Sequence, residues 1–214
     1  MLEINNISKK YKRGPEEFTA LIDVSLKIGK GDYVSVTGPS GSGKSTLLNT
    51  IGGLIHPDSG EILYNGKSIY DQNGQYLNSY RKKDVGFMFQ QFNLMPYLTV
   101  IENISLACYQ KSHAKAINNY LEKCSLLEIK DKYPSQLSVG EKQRAAFIRA
   151  IISDPELLLA DEPTGNLDPG NSKILMSLVE EYHKKGGTVV LVSHDPVALT
   201  YSNLNIKIER GRIL

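Results

Sequence analysis

The 214-residue sequence contains no tryptophan, two cysteines and a formal net charge of only +2. Cys108 and Cys124 fit no metal-binding or redox spacing, so we expect free thiols in a reducing compartment. No stretch approaches the roughly 18 apolar residues of a membrane-spanning helix, and the start lacks the apolar region of a secretory signal. The small net charge argues against nucleic acid as a partner. These absences predict a cytoplasmic protein that would need a partner to act at a membrane.

The hydrophobic pattern predicts two kinds of strand. Apolar and polar residues alternate over 2–8 and 21–28, which is typical of strands in an antiparallel sheet. Residues 32–38 form a strand that runs into a glycine-rich loop, and residues 156–161 and 188–195 are apolar runs of the buried-strand type. The remaining predicted elements are hairpins at 61–70, around Asn65-Gly66, and at the end of the chain, and helices at 45–54, within 99–128, at 139–152 and at 169–185.

The order of these elements predicts an α/β fold with a parallel core. Strands and helices alternate near residues 32–54 and again over 156–195, as in other parallel α/β proteins. We therefore interpret residues 1–214 as one domain. Its core, from 1–90 and 154–214, would carry an antiparallel β subdomain, and residues 91–153 would form an inserted α-helical subdomain.

Residues 38–46, GPSGSGKST, match the phosphate-binding pattern G-x-x-x-x-G-K-[ST] between a predicted strand and a predicted helix. Glycines let backbone N–H groups approach phosphate oxygens, and the helix adds unpaired N–H groups and its positive dipole end. Lys44 is expected to reach the β- and γ-phosphates, and the Ser45 hydroxyl to ligate Mg²⁺. This P-loop predicts a nucleoside triphosphate site formed by Gly38, Pro39, Ser40, Gly41, Ser42, Gly43, Lys44, Ser45 and Thr46.

Two consecutive carboxylates follow the predicted strand at 156–161. Asp161 ends the strand and is expected to lie opposite the P-loop, where it would hold Mg²⁺ directly or through water. Glu162 is expected to orient and deprotonate the attacking water. By themselves, Asp-Glu-Pro could be a polar turn, and the P-loop is what favours the catalytic interpretation. His194, at the end of another strand, and Gln90 are less specific signals.

Seven motifs in order resemble the ATP-binding cassette (ABC) ATPase family, over essentially the whole chain. They are Tyr11, the P-loop, Gln90, LSVGEKQR (137–144), LLLADE, GNLD (165–168) and His194. The resemblance implies that Tyr11 stacks on adenine, that Gln90 contacts Mg²⁺ and the water, and that His194 senses the γ-phosphate. Gln91 is adjacent, but MFQ favours Gln90. Glu162 would be the catalytic carboxylate, and the cofactors would be ATP and Mg²⁺.

The resemblance also implies a second copy of the chain as a partner. Two subunits would meet head to tail, and the signature segment, residues 137–144, would close over the other subunit's ATP. The implied trans contacts are Ser138, Gly140, Glu141 and Asp168. Ser138 and Glu141 also match a capping box for the following helix, and both interpretations can hold. Val139 and Glu141 depart from the family's usual LSGGQ, and their effect on binding stays open.

Within the family, DEPTGNLD and FQQFNLMPYLTVIENI resemble the macrolide-export and lipoprotein-release type, which includes antimicrobial-peptide resistance and cell-division ATPases. The resemblance implies a separate transmembrane permease that places the ATPase at the inner face of the cell membrane. Residues 92–98 would either dock that partner or pack inside the helical subdomain. The alternatives to a membrane complex are a soluble ABC ATPase of non-transport function and a nucleotide-gated scaffold.

Overall fold

The structure of the chain is a computed structural model that describes residues 1–70, 74–193 and 199–214. Its strands are β1 (Leu2–Arg13), β2 (Glu16–Ile28), β3 (Tyr33–Thr37), β4 (Ser59–Tyr64), β5 (Lys67–Ser68), β6 (Val85–Met88), β7 (Leu157–Asp161), β8 (Thr188–Val192), β9 (Leu204–Glu209) and β10 (Arg212–Ile213). Its α-helices are α1 (Lys44–Ile51), α2 (Gln75–Lys83), α3 (Val100–Ser105), α4 (Lys111–Lys123), α5 (Val139–Ile151) and α6 (Pro169–Lys184).

The first sheet is antiparallel, with the strand order β2-β1-β4-β5. Strands β1 and β2 are longer than the predicted 2–8 and 21–28, and their extensions pair as a projecting hairpin in which Tyr11 lies opposite Phe18. Asn65 and Gly66 form the predicted two-residue turn, with φ angles of 50° and 77°. Positive φ at both positions is what this hairpin turn requires, which explains the Asn-Gly pair.

The second sheet is mostly parallel, with the strand order β10-β9-β3-β8-β7-β6. Strand β10 is its antiparallel edge, and every other neighbouring pair is parallel. Every residue of β7 and β8 is buried, because helices or the other sheet cover both faces. The prediction of a parallel α/β core with an antiparallel sheet is confirmed.

Three hydrophobic clusters hold these layers together. One fills the space between the antiparallel sheet, α1 and one face of the parallel sheet, and a second joins the opposite face to α5 and α6. The third lies among α3, α4 and α5, the helices between β6 and β7, and includes the buried free cysteine Cys124.

Among the described residues, none of the helices has the length and apolar character needed to cross a bilayer.

The sequence misplaced some helix boundaries and missed one helix. Helix α1 ends at Ile51 rather than at residue 54, because the chain turns at Gly52 and Gly53. The region 99–128 is divided between α3 and α4, which are separated by residues 106–110. Helix α2 was not predicted because it is strongly polar, and Tyr80 is its one fully buried residue.

Candidate functional site

Several of the predicted site residues lie at or just after the ends of strands in the parallel sheet. The P-loop follows β3, Asp161 and Glu162 come at the end of β7, and Gln90 follows β6. These strands point in the same direction, so their carboxyl ends lie at one edge of the sheet, where open α/β folds bind ligands. His194 follows β8, which lies between β3 and β7, but it is outside the described residues. Parallel pairing is therefore what gathers residues from distant parts of the sequence.

Two P-loop glycines are required by their surroundings. Gly38 and Gly43 have φ angles of 146° and 109°, which other residues rarely adopt. A Cβ atom at Gly38 would collide with the Ile208 carbonyl oxygen, and one at Gly43 with the Ala20 carbonyl oxygen. The backbone of the loop is therefore tightly wrapped against neighbouring strands, and the loop has little freedom to change shape.

Lys44 and the start of α1 concentrate positive charge at this loop. The Lys44 side chain is only 6% exposed, and its Nζ donates to the carbonyl oxygens of Gly38 at 2.8 Å and Pro39 at 2.9 Å. The N-cap of α1 is Gly43, so no side chain caps the helix. The first N–H groups of a helix lack intrahelical acceptors and favour anions. This arrangement is suited to binding phosphate.

Asp161 is a mostly buried carboxylate directly beside the P-loop. It is 8% exposed and accepts a hydrogen bond from the Ser45 side chain. Burial, together with the neighbouring Glu162 charge, raises the pKa of Asp161 despite the opposing effects of Ser45 and Lys44. The Oδ1 atom has no hydrogen-bond partner in the part of the chain that the structure describes. A buried carboxylate oxygen without a donor, next to a serine hydroxyl, suits a hard cation such as Mg²⁺.

Glu162 and Gln90 lie together at the mouth of the same cleft. Gln90 Nε2 donates to Glu162 Oε2 at 3.3 Å, whereas the neighbouring Gln91 does not line the cleft. Glu162 has a φ of 45°, and its N–H donates to the Val192 carbonyl oxygen at 2.9 Å. A left-handed conformation is uncommon for glutamate and is held here by a hydrogen bond to β8. Glu162 thus lines the cleft formed by the P-loop.

Tyr11 lies at the outer edge of the cleft and does not act alone. Its ring stacks on that of Phe18, with centroids 5.4 Å apart and planes inclined by 25°. Phe18 is 53% exposed and also lines the cleft. Sequence reasoning missed Phe18, because only the register of the two extended strands pairs it with Tyr11. The cleft measures about 420 Å³, and its walls run from these two rings to the P-loop, Gln90 and Glu162.

The signature segment forms the predicted capping box at the start of α5. Glu141 N–H donates to Ser138 Oγ at 3.3 Å, and Ser138 N–H donates to a Glu141 carboxylate oxygen at 2.7 Å. This second bond lowers the pKa of Glu141. Val139 has an ordinary helical conformation and is 44% exposed. The Glu141 charge is thus held at the Ser138 backbone, and Val139 presents a methyl surface to solvent.

Gly140 and Asp168 meet the same residue, Asn171 of α6. A Cβ atom at Gly140 would lie 2.6 Å from Asn171 Oδ1. Asp168 caps α6, accepting from Asn171 N–H at 3.0 Å and from Asn171 Nδ2 at 2.5 Å. These bonds lower the pKa of Asp168. The missing side chain of Gly140 therefore serves packing within one subunit, which sequence reasoning did not foresee.

Helix α5 also contacts the segments that carry Glu162 and Gln90. Gln143 is 2% exposed and donates to the Pro163 carbonyl oxygen, one residue after Glu162. Arg149 donates to the carbonyl oxygens of Phe92 and Asn93, both at 2.6 Å. Helix α5 is therefore fixed to the segments of its own subunit that carry Glu162 and Gln90. None of Ser138, Gly140, Glu141 or Asp168 lines the P-loop cleft.

Comparison with known proteins identifies relatives along the whole chain. The family model described as "ABC transporter" matches residues 21–165. The ABC transporter ATP-binding protein YknY of Bacillus subtilis is 38% identical over 100% of this chain and 95% of its own length. The lipoprotein-releasing system ATP-binding protein LolD of Buchnera aphidicola is 37% identical over 97% of this chain and 94% of its own length.

A larger relative and a solved structure extend this comparison. The macrolide export ATP-binding/permease protein MacB of Chlorobaculum tepidum is 38% identical over 100% of this chain, which spans 34% of that protein. The ATP-binding cassette MJ0796 of Methanocaldococcus jannaschii, solved as a dimer bound to ADP and Pi, has a TM-score of 0.92. That structure is 36% identical, and the match covers 100% of this chain and 96% of MJ0796. The chain therefore belongs to the ABC transporter family and is an ATPase of that family.

Proposed function

We propose that two copies of this chain hydrolyse ATP as a head-to-tail pair, each completing the other's site. The observation that carries this proposal is the separation of two groups of residues within one subunit. Tyr11, the P-loop, Gln90 and Glu162 line one cleft, while Ser138 lies outside it at the exposed start of α5. Ser138 still has a hydroxyl hydrogen to donate to a phosphate while its oxygen accepts from Glu141. The dimeric structure of MJ0796 supports such a pairing.

Glu162 is the proposed general base of hydrolysis. Its carboxylate would accept a proton from the water that attacks the γ-phosphorus, while Gln90, already 3.3 Å from Glu162 Oε2, would orient that water. Lys44 and the N–H groups at the start of α1 would stabilise the charge that develops on the phosphate oxygens. His194 is proposed to contact the γ-phosphate. The products would be ADP and phosphate.

Mg²⁺ is the proposed cofactor, held by Ser45 and Asp161 with Gln90 nearby. Asp161 Oδ1, which has no hydrogen-bond partner among the described residues, would coordinate the ion, and this would offset the cost of burying the carboxylate. Held there, Mg²⁺ would neutralise negative charge on the triphosphate during hydrolysis. Adenine would stack on Tyr11, and Phe18 would support the tyrosine ring from its other face.

A separate transmembrane permease is the proposed membrane partner, with residues 92–98 as part of its contact surface. Tyr97 is 71% exposed and Met95 40% exposed, while Leu94 packs on the cluster of the helical insertion. Asn103 fixes this segment by hydrogen bonds to Met95, Leu98 and Thr99. The arrangement would place the chain at the cytoplasmic face of the membrane.

In the assembled complex, a photocrosslinker placed at position 97 should label the permease. If the permease were not labelled, docking at residues 92–98 would be contradicted.

Specific ATPase activity is expected to rise with protein concentration, because each site needs the signature segment of a second copy. The measurement is phosphate release per subunit over a dilution series that spans dissociation, with the oligomeric state followed by light scattering. Constant specific activity in samples shown to be monomeric would contradict the shared site.

Ser138→Ala should lower ATPase activity far more than its effect on stability explains. The loss of the cap should cost about 1 kcal/mol of unfolding free energy. Thr99→Ala is a matched control, because Thr99 and Glu102 form the same capping box at α3. Both variants should unfold at similarly lowered denaturant concentrations, but Thr99→Ala should retain activity. Equal activities in the two variants would show that Ser138 only caps its helix.

A further inference from the structure

We propose that Asn171 is a positioning residue that holds the signature segment and Asp168 of one subunit in a fixed relative arrangement. Both would then meet the partner subunit's nucleotide site together. The inference rests on the proposed head-to-tail site and adds a residue to it. Gly140 would accordingly be required as the space that Asn171 occupies, rather than as an approach path for phosphate.

The hydrogen bonds of Asn171 define its orientation. Arg144 Nη1 donates to Asn171 Oδ1 at 2.6 Å, and Asn171 Nδ2 donates to Asp168 Oδ2 at 2.5 Å. A guanidinium can only donate and an ionised carboxylate can only accept, so the two partners fix which end of the amide faces which residue. Both bonds involve a charged group, and such bonds are shorter and stronger than neutral ones.

This network spans two parts of the fold. Arg144 is the sixth residue of α5, and its Nε also donates to the Cys124 carbonyl oxygen at 2.9 Å, at the end of α4. Asn171 lies in the first turn of α6, which belongs to the nucleotide-binding core. One asparagine therefore links the helical insertion to the loop that follows Glu162. The alignment of Ser138 with Asp168 depends on this link.

Gly140 supplies an independent reason for the same conclusion. Gly140 is buried, and a Cβ atom there would meet Oδ1 and Cγ of Asn171 at 2.6 and 2.7 Å. An alanine side chain would force the amide to move, and this would break its bonds to Arg144 and Asp168. The two positions are therefore coupled, and a double-mutant cycle can measure that coupling.

The test compares Gly140→Ala, Asn171→Ala and the double variant with the native chain. Gly140→Ala should lower kcat/KM by roughly 10–100-fold, because displacements near 1 Å cost up to about 10²-fold. Asn171→Ala should lower it less, since this variant adds no methyl group that collides with a neighbour and the backbone N–H of residue 171 still binds Asp168. The double variant should match Asn171→Ala within about twofold, because no amide remains for the new methyl group to displace. The proposal would be overturned if the fold-losses of the two single variants multiplied in the double variant, or if Gly140→Ala had native activity.

An isosteric variant separates positioning from packing. Asn171→Asp keeps the shape and the acceptor for Arg144 but replaces the donor to Asp168 with a second negative charge. Asn171→Asp should raise the protein concentration needed for half-maximal activity. The ATP affinity of the isolated subunit and the thermal midpoint should stay close to native. Native behaviour in this variant would contradict the proposed link to Asp168.

Failure of this proposal is distinguishable from failure of the shared site. If the native chain showed no concentration-dependent activity, the head-to-tail site itself would be wrong. If the native chain showed that dependence but the Gly140→Ala defect persisted unchanged in the Asn171→Ala background, only the positioning role would be wrong. Should Gly140→Ala also lower the thermal midpoint, Asn171→Ala must restore it, because removal of the amide removes the collision.

Discussion

Glu162→Gln is expected to lower ATP turnover by about 10²–10⁴-fold while ATP binding stays close to native. The amide has nearly the shape of the carboxylate and can still accept a hydrogen bond from Gln90, but it cannot take a proton from water. The cleft itself should therefore stay intact. Phosphate release under saturating ATP measures the first effect, and equilibrium binding of ATP measures the second.

The same variant should accumulate as a dimer when ATP and Mg²⁺ are present. Hydrolysis is the proposed step that reopens the pair, so blocking the chemical step should leave the closed form. Size-exclusion chromatography with and without ATP would detect it. Glu122→Gln on the exposed surface of α4 is a matched control and should behave like the native chain. Near-native hydrolysis in Glu162→Gln would show that another group is the base.

Asp161→Asn should abolish most Mg²⁺-dependent activity and yet raise the stability of the chain without nucleotide or metal. The carboxylate is 8% exposed, and burial together with the nearby Glu162 charge raises its pKa despite its contacts with Ser45 and Lys44. A neutral amide removes that desolvation cost. For a domain of this size, about 1 kcal/mol corresponds to a thermal midpoint shift of roughly 2–4 °C.

The activity of Asp161→Asn should fall at least about 100-fold, above the 10–100-fold typical of residues that only support a metal ligand. Thermal midpoints measured with EDTA and phosphate release over a Mg²⁺ titration give the two readouts. Asp131→Asn, at an exposed position, should change neither. Native activity in Asp161→Asn throughout the titration would mean that Asp161 is not a ligand. A lowered midpoint with EDTA would mean that its contacts outweigh its burial.

Much of the site was predictable because its chemistry depends on local patterns. A P-loop needs a strand, glycines and a helix in immediate succession, so residues 38–46 carry their own structural context. The capping box of Ser138 and Glu141 and the turn at Asn65-Gly66 are likewise local. Helix α2 escaped prediction because it is strongly polar and Tyr80 is its one fully buried residue, so it contains no apolar run that would mark it as a core element.

Phe18 and Asn171 were out of reach for a different reason. Phe18 becomes part of the cleft only through the register that pairs it with Tyr11. Asn171 lies 31 residues from Gly140 and is ordinary in its local sequence, yet it fills the space that Gly140 leaves open. Register and packing are relations between distant segments, and no short stretch of sequence displays them.

The sequence by itself determined the family, the P-loop and the acid pair Asp161-Glu162, because each is encoded in residues that follow one another. Only the tertiary structure decided that Gly140 packs against Asn171 and that Asp168 caps α6. The physical reason is that these facts depend on which surfaces meet when α5 and α6 pack on the parallel sheet. The order of residues along the chain does not by itself show which of these surfaces will meet.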